Sequence, residues 1–314
     1  MCGIMKDAHT SSNSMKPTLS VVVGSQNARM SVRECLNELE SQRDGQEVEI
    51  IVVDNSTDGT AEAVGQNFPN INLIRSSADK LVPELWEIGI NRSAGDIVAI
   101  TTSHFVPEKN WIEEIIKAHE TASSAGIGGA IENDETADLV AWAIYFCRYS
   151  SYMLPFREAT VKDFAGDNAS YKRSALERCR HARRDGFWES FVHEEMRKQG
   201  FELLVTPTIV VYHQKSFTLS GFMNQRFWHG RQFGSERALS VSGMKRATYI
   251  LLSPLIPIVL LSRITRRVLT KRRHVKECFL SLPILLLFLL SWSAGELTGY
   301  LRTSKLRNES RPSH

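Results

Sequence analysis

The chain has 314 residues, room for one large domain with appendages, and its 42% hydrophobic content is ample for a packed core. A net charge of +3 is too small to imply a nucleic-acid binder. The five cysteines (Cys2, Cys35, Cys147, Cys179 and Cys278) are scattered, odd in number and never spaced as Cys-x-x-Cys, which argues against a disulfide framework or a cysteine zinc site and fits a reducing compartment.

Residues 1–17 are polar and lack an apolar core, so they read as a disordered lead-in and not as a secretory signal. Leu19 to Val23 then form an apolar run that ends in Gly24-Ser25-Gln26-Asn27, followed by a helical pattern to about Gln42. Ile50 to Val53 is a second β-branched run, as expected of a strand covered on both faces. It stops in Asp54-Asn55-Ser56-Thr57-Asp58-Gly59-Thr60, a cluster of turn residues in which Asp58 or Thr60 is placed to cap a helix running to about Phe68. Further strands are predicted at 72–75, 97–100 and 126–130, with helices between them. This alternation predicts a doubly wound, mostly parallel α/β sheet. In such sheets ligands bind at the carboxyl ends of strands.

These two strand–turn units resemble the opening of family 2 glycosyltransferases. Val53-Asp54-Asn55-Ser56-Thr57-Asp58-Gly59-Thr60 is a fairly specific match to that family's second strand end; Gly24 to Asn27 is a loose match to its first. The resemblance runs from about residue 18 to about 237. It implies a GT-A-like catalytic domain over 18–240 and a nucleotide-sugar donor, UDP-linked in the first instance. Ser25, Asn27, Asp54, Asn55, Ser56 and Asp58 then face that donor. A plain βα loop with a capping aspartate is the alternative reading of the same stretch.

The family places Asp-x-Asp at the end of a strand just before a Pro and a Trp, and its carboxylates hold Mg²⁺ or Mn²⁺ on the donor diphosphate. Phe105-Val106-Pro107 and Trp111 match the flank, but Thr102-Ser103-His104 fills the Asp-x-Asp place. Metal dependence is therefore doubtful. Thr102 and His104 remain donor-side candidates, and His104 is a candidate metal ligand, with Mn²⁺ weakly favoured over Mg²⁺. His213, after the apolar run at 209–212, falls where the family has a His that often completes the metal site.

Gly126-Ile127-Gly128-Gly129-Ala130 lacks the Lys-Ser/Thr of a phosphate loop, so its small residues read as close packing. The stretch 138–153 is aromatic with a helical period. Asp167 and Asn168 resemble the family's acceptor-side Gly-x-Asn segment, and they are equally turn chemistry. Counting back from Gly200 puts Glu189 at one member of the family's acidic pair and Trp188 at the other. The resemblance implies that Glu189 is the catalytic base, while Glu194 and Glu195 read as a solvated helix face. Aromatic neighbours would raise the pKa of Glu189 by desolvation. Arg226 and Trp228 fall in an Arg/aromatic segment beyond His213. There Arg226 or Arg231 is a candidate to neutralise the leaving diphosphate.

Residues 241–314 read as a membrane-associating hydrophobic hairpin. Ala247–Ser262 and Cys278–Leu301 are apolar, the first broken by Pro254 and Pro257. Between them, residues 263–276 carry seven Lys/Arg. Two crossings would put this basic block opposite the catalytic domain, against the positive-inside rule. The first segment is therefore expected to be re-entrant or interfacial, the second long enough to span, and the enzyme to sit on the cytoplasmic face. Glu296 is expected near an interface or against a partner. Together these features predict an inverting transferase acting on a glycan or lipid-linked acceptor. A catalytically degenerate relative that binds a glycan or scaffolds a membrane assembly is the competing reading. A dinucleotide-dependent oxidoreductase is disfavoured, because no Gly-x-Gly-x-x-Gly follows the first strand.

Overall fold

The computed structural model describes residues 16–43, 45–214 and 217–309. The expected lead-in, 1–17, lies outside these residues except for Lys16 and Pro17. One mixed sheet of nine strands forms the centre. Strands β1 (Leu19–Ser25), β2 (Val48–Asp54), β3 (Asn72–Arg75) and β4 (Ile97–Thr102) run parallel in the order β3-β2-β1-β4. Helices α1 (Val32–Arg43), α2 (Thr60–Asn67) and α3 (Val82–Arg92) connect them. The β-branched runs of β1, β2 and β4 are wholly buried because helices cover both faces.

Beyond β4 the sheet continues through β8 (Asn168–Lys172), β6 (Gly126–Asn133), β9 (Leu203–His213) and β5 (Phe105–Pro107), with β7 (Ala159–Val161) also on β9. β8 is antiparallel to both β4 and β6, which leaves β6 and β9 parallel to the first four strands. Helices α4 (Trp111–Thr121), α5 (Leu139–Tyr149), α6 (Arg173–Arg178) and α7 (Glu189–Lys198) complete the domain. The mostly parallel sheet expected from the alternation is thus present. The sequence reading missed β5 and β8, which lay in stretches read as loop and turn.

The glycine run in β6 serves close packing, as expected. A Cβ on Gly129 would lie 2.2 Å from the Ile209 carbonyl oxygen of β9. Cys35, Cys147, Cys179 and Cys278 are all free.

The C-terminal region comprises α8 (Leu219–Ser240), α9 (Gly243–Leu252), α10 (Ile256–Lys271) and α11 (Val275–Glu309). Pro254 interrupts the first apolar segment by a single 3-10 turn, Ser253–Leu255, and Pro257 sits in the first turn of α10. α8 and α11 run side by side in the same direction: Phe222 meets Phe288 at 4.6 Å between ring centroids, and Met223 accepts a hydrogen bond from Ser291 Oγ at 2.7 Å. Further along, small residues bring the backbones together. A Cβ on Gly230 or Gly234 would lie 2.3 Å from the carbonyls of Trp292 or Glu296. One on Gly295 or Gly299 would lie 2.0 or 2.3 Å from those of Phe227 or Arg231. Each helix thus carries a Gly-x-x-x-Gly pair that seats its neighbour.

The basic connection between α10 and α11 folds back onto the catalytic domain. Glu132 of β6, 3% exposed, takes Arg273 at 3.3 Å and His274 at 3.1 Å. Lys271 donates to the carbonyls of Met153 and Ser151. Glu296 faces partners within the helical region: Trp292 Nε1 donates to it at 3.0 Å and Tyr300 Oη at 2.6 Å.

Candidate active site

The carboxyl ends of β1, β2 and β4 lie side by side, with Ser25 opposite Asp54 and Gly24 opposite Thr102. Their turns hold one another through short polar side chains. Both carboxylate oxygens of Asp54, itself 2% exposed, accept from Ser56: Oδ1 from the hydroxyl at 2.6 Å and Oδ2 from the amide at 3.1 Å. Ser56 Oγ in turn accepts from the Asn27 amide at 2.7 Å. Asn27, in the left-handed region at φ 48°, accepts the Thr57 amide on its Oδ1 at 3.1 Å. Asp58 takes the amides of Arg29 at 3.2 Å and Thr60 at 3.1 Å. The N-cap position of α2 falls on Gly59, so Asp58 acts from just outside the helix. Asn55 Nδ2 ties the turn to the Lys80 carbonyl at 2.6 Å. The six donor-side residues expected on β1 and β2 are therefore brought together. The hydroxyls of Ser25 and Ser103 and the amide oxygen of Asn55 are buried without a partner.

Thr102 ends β4, buried, and His104 follows in a partly exposed turn. His104 Nδ1 lies 3.2 Å from the hydroxyl of Ser31, which leads into α1. Burial, and then the charge of Arg148, push its pKa down to about 4. His213, at the end of β9 and 1% exposed, pairs Nδ1 with Asn133 Oδ1 at 3.2 Å. Its Nε2 is buried without a partner. Desolvation first, then Arg148 and His104, hold its pKa well below the usual range.

Arg148 was not foreseen in the sequence. It sits in the last turn of α5, with its guanidinium 5.0 Å from the Tyr149 ring and 3.7 Å from Asp167 Oδ2. Tyr149 Oη donates to the same Asp167 oxygen at 3.2 Å, and its ring lies 5.3 Å from that of His213. The available signal was one cation in an otherwise apolar helical stretch, which reads as a core helix.

Asp167 thus joins Arg148 and Tyr149, and burial raises its pKa against the pull of Arg148. Its neighbour Asn168 does not: it is 1% exposed, and its amide is used by the core. Nδ2 donates to the carbonyls of Ala130 at 2.8 Å and Ile209 at 3.1 Å, while Oδ1 accepts from Trp111 Nε1 at 2.9 Å. The acceptor-side expectation for Asn168 is corrected accordingly: it ties β8 to β6, β9 and α4. Trp188 occupies the N-cap position of α7 and donates to the Asp185 carbonyl at 3.2 Å. Glu189 opens α7, partly exposed. Desolvation of its carboxyl, with the negative charges of Asp167 and Asp163 nearby, raises its pKa to about 7. Glu194 and Glu195 lie further along α7; Glu194 pairs with Lys198 at 2.8 Å, as on a solvated face.

Arg226 reaches the same region from α8. Its guanidinium lies 4.9 Å from the Phe222 ring and 3.2 Å from His229 Nδ1, and its Nε is buried without a partner. Burial lowers its pKa to about 10, so it stays charged at neutral pH. Trp228 is half exposed, with Arg231 4.8 Å from its ring. A depression lined by Lys16, Asp96, His119 and Arg173 opens at the opposite, amino end of β1 and β4, away from all of these groups.

The residues do not fit a divalent cation. The unpartnered Nε2 of His213 is one suitable donor. However, no group of three or more His, Cys, Asp or Glu able to hold a metal exists among the described residues. Neither Asp-x-Asp carboxylate is present, and a guanidinium acts on both histidines.

A mostly parallel sheet of GT-A type with a polar cluster at its strand ends is the architecture of the sugar-nucleotide transferase class of protein. The sequence profile described as Glycosyl transferase family 2 matches residues 20–180, just over half of the chain, and the chain belongs to that family. Glycosyltransferase AglE of Haloferax volcanii is 27% identical over 121 residues, which cover 37% of this chain and 40% of that relative. Among solved structures, the mannosyltransferase PcManGT from Pyrobaculum calidifontis, in complex with GDP-Man and Mn²⁺, aligns with a TM-score of 0.49 at 16% identity. That alignment covers 95% of this chain and 88% of that one. S. aureus TarS 1–349, in complex with UDP, aligns at 0.46 and 14% identity, covering 94% and 93%.

Proposed function

We propose that this glycosyltransferase transfers a sugar, with inversion, from a nucleoside-diphosphate donor to a hydroxyl of a glycan or lipid-linked acceptor. The observation that carries the reading is Glu189, a carboxyl at the mouth of α7 whose pKa is raised to about 7. A base with that pKa is half deprotonated at neutrality, which suits proton removal from an acceptor hydroxyl. The acceptor oxygen forms its bond to the anomeric carbon as the bond from that carbon to the phosphate oxygen breaks. The electron pair stays on the diphosphate, and the acceptor proton passes to Glu189. The Asp54 turn, with Ser25, Asn27, Ser56 and Asp58, frames the nucleoside end. UDP is the first nucleotide to test, with GDP beside it. Asp167 and Trp188 border the acceptor side. The experiment is chromatographic detection of nucleoside diphosphate released from a panel of UDP- and GDP-sugars. Release by the native chain that is lost in Glu189→Gln supports the reading. No release from any donor would turn the choice to a degenerate, glycan-binding scaffold.

The membrane placement belongs to the same proposal. Two stretches, Gly243–Lys271 and Val275–Leu301, are long and apolar enough to cross a membrane. Leu251, Leu255, Ile258, Phe279, Leu280 and Leu287 stand exposed along them. Full crossing by α11 would carry its partner α8, with Arg231, Glu236 and Arg237, into hydrocarbon. We infer that the helices instead lie in the interface of the cytoplasmic leaflet, with the basic connection beside the catalytic domain. This differs from a single crossing by the second segment. Vesicle flotation tests it: binding should need anionic lipid and fall with salt, and a C-terminal tag on sealed vesicles should stay open to protease. A protected tag would contradict the interfacial placement.

A further inference from the structure

The family resemblance implies a metal on the diphosphate, and the residues here do not fit one. Something else must meet the charge that develops on the leaving group, since a diphosphate departs with one more negative charge than it carried in the donor. Arg148 is placed for that task. Its guanidinium lies 5.0 Å from the Tyr149 ring, which is itself 5.3 Å from the ring of His213, and its charge acts on His104, His213 and Glu189. It is anchored on one side only. Asp167 takes it at 3.7 Å, and that carboxylate oxygen is shared with Tyr149 Oη. The side chain remains 28% exposed. A planar fork with several donors suits bidentate contact with phosphate oxygens. Arg226 approaches from α8 with an unpartnered Nε, adding a second fixed charge at the same edge.

We propose that Arg148, assisted by Arg226, holds the donor diphosphate and stabilises the departing nucleoside diphosphate in place of a divalent cation. This rests on the donor reading above. As the bond from the anomeric carbon to the phosphate oxygen breaks, its electron pair settles on that oxygen against the Arg148 guanidinium. The acceptor proton goes to Glu189 on the far side. Asp167 and Tyr149 position the arginine; they do not touch the phosphate.

The test is calorimetry on the full chain in detergent, with UDP, GDP and the corresponding monophosphates, in EDTA and in Mn²⁺. The native protein should bind a diphosphate in EDTA, and Mn²⁺ should change that affinity by less than about threefold. Arg148→Gln should weaken the diphosphate about tenfold or more, with the monophosphate within about twofold, and Arg148→Lys should recover part of the loss. The unchanged monophosphate shows that the variant is folded. Native binding that depends on Mn²⁺, or diphosphate binding that ignores Arg148→Gln, overturns the inference and leaves the donor reading intact. Equal loss of both nucleotides in both variants assigns Arg148 a structural role and also overturns it. No binding of any nucleotide by the native chain removes the donor reading and this inference together.

Discussion

Two stretches of the candidate site are built on opposite principles. At the ends of β1 and β2, short polar side chains close on one another: Asp54 on Ser56, Ser56 on Asn27, Asn27 on Thr57, Asp58 on Thr60. In the second, Arg148 of α5, Asp167 just before β8, Glu189 of α7 and His213 of β9 come together, and their charges disturb one another. Apart from the Ser25 hydroxyl and the Asn55 amide oxygen, the side-chain acceptors of the first stretch are satisfied locally. The second keeps a raised carboxyl and an unpartnered imidazole nitrogen, which is how a site holds reactivity in reserve. A contiguous run of turn residues is thus enough to build the first stretch, whereas the second depends on groups brought together from distant parts of the chain.

The sharpest way to break this contrast is Glu189→Gln. Turnover should fall by about 10²–10⁴-fold while nucleotide affinity is kept, because only the proton acceptor is removed. Loss of affinity instead would place Glu189 with the binding groups. Next in size is Asn168→Ala, which strands the carbonyls of Ala130 and Ile209 and the indole of Trp111. Unfolding stability should drop by about 3 kcal/mol or more in a denaturant titration. A drop in acceptor affinity without loss of stability would return Asn168 to the acceptor side. Gly295→Leu should push α11 away from Phe227, costing about 1–3 kcal/mol and lowering the melting temperature. An unchanged melting point would mean that α8 and α11 do not pack as described. Smallest is Asp54→Asn. It keeps the turn's shape, so the fold should survive while nucleotide affinity falls by about 1 kcal/mol. A larger loss would show that the carboxylate charge itself contacts the donor.

What the sequence revealed follows the same division. The parallel strands and the Asp54 turn were legible, because each is written in a contiguous run. β8 was hidden, because Gly166-Asp167-Asn168 is turn chemistry and only the pairing of 168–172 between β4 and β6 makes it a strand. Asn168 looked like a sugar ligand for the same reason: nothing local tells that an amide is used up by carbonyls about forty residues away. Arg148 was invisible because an aromatic helix reads as core, and its neighbours Asp167, Glu189 and His213 lie on other elements. The glycine pairs at 230/234 and 295/299 were present as spacings and gained meaning only when α8 and α11 proved to run side by side. The basic block at 263–276 read as a membrane contact, while Lys271, Arg273 and His274 are engaged by the catalytic domain.

The most direct test of the account is the pH dependence of donor turnover, followed as nucleoside diphosphate release. A base must be deprotonated to accept a proton. With the pKa of Glu189 raised to about 7, the rate should climb through neutrality and level off above it. Glu189→Gln should lie flat and low across the same range. A native profile already level at pH 5, or an unchanged limb in the variant, would contradict Glu189 as the base.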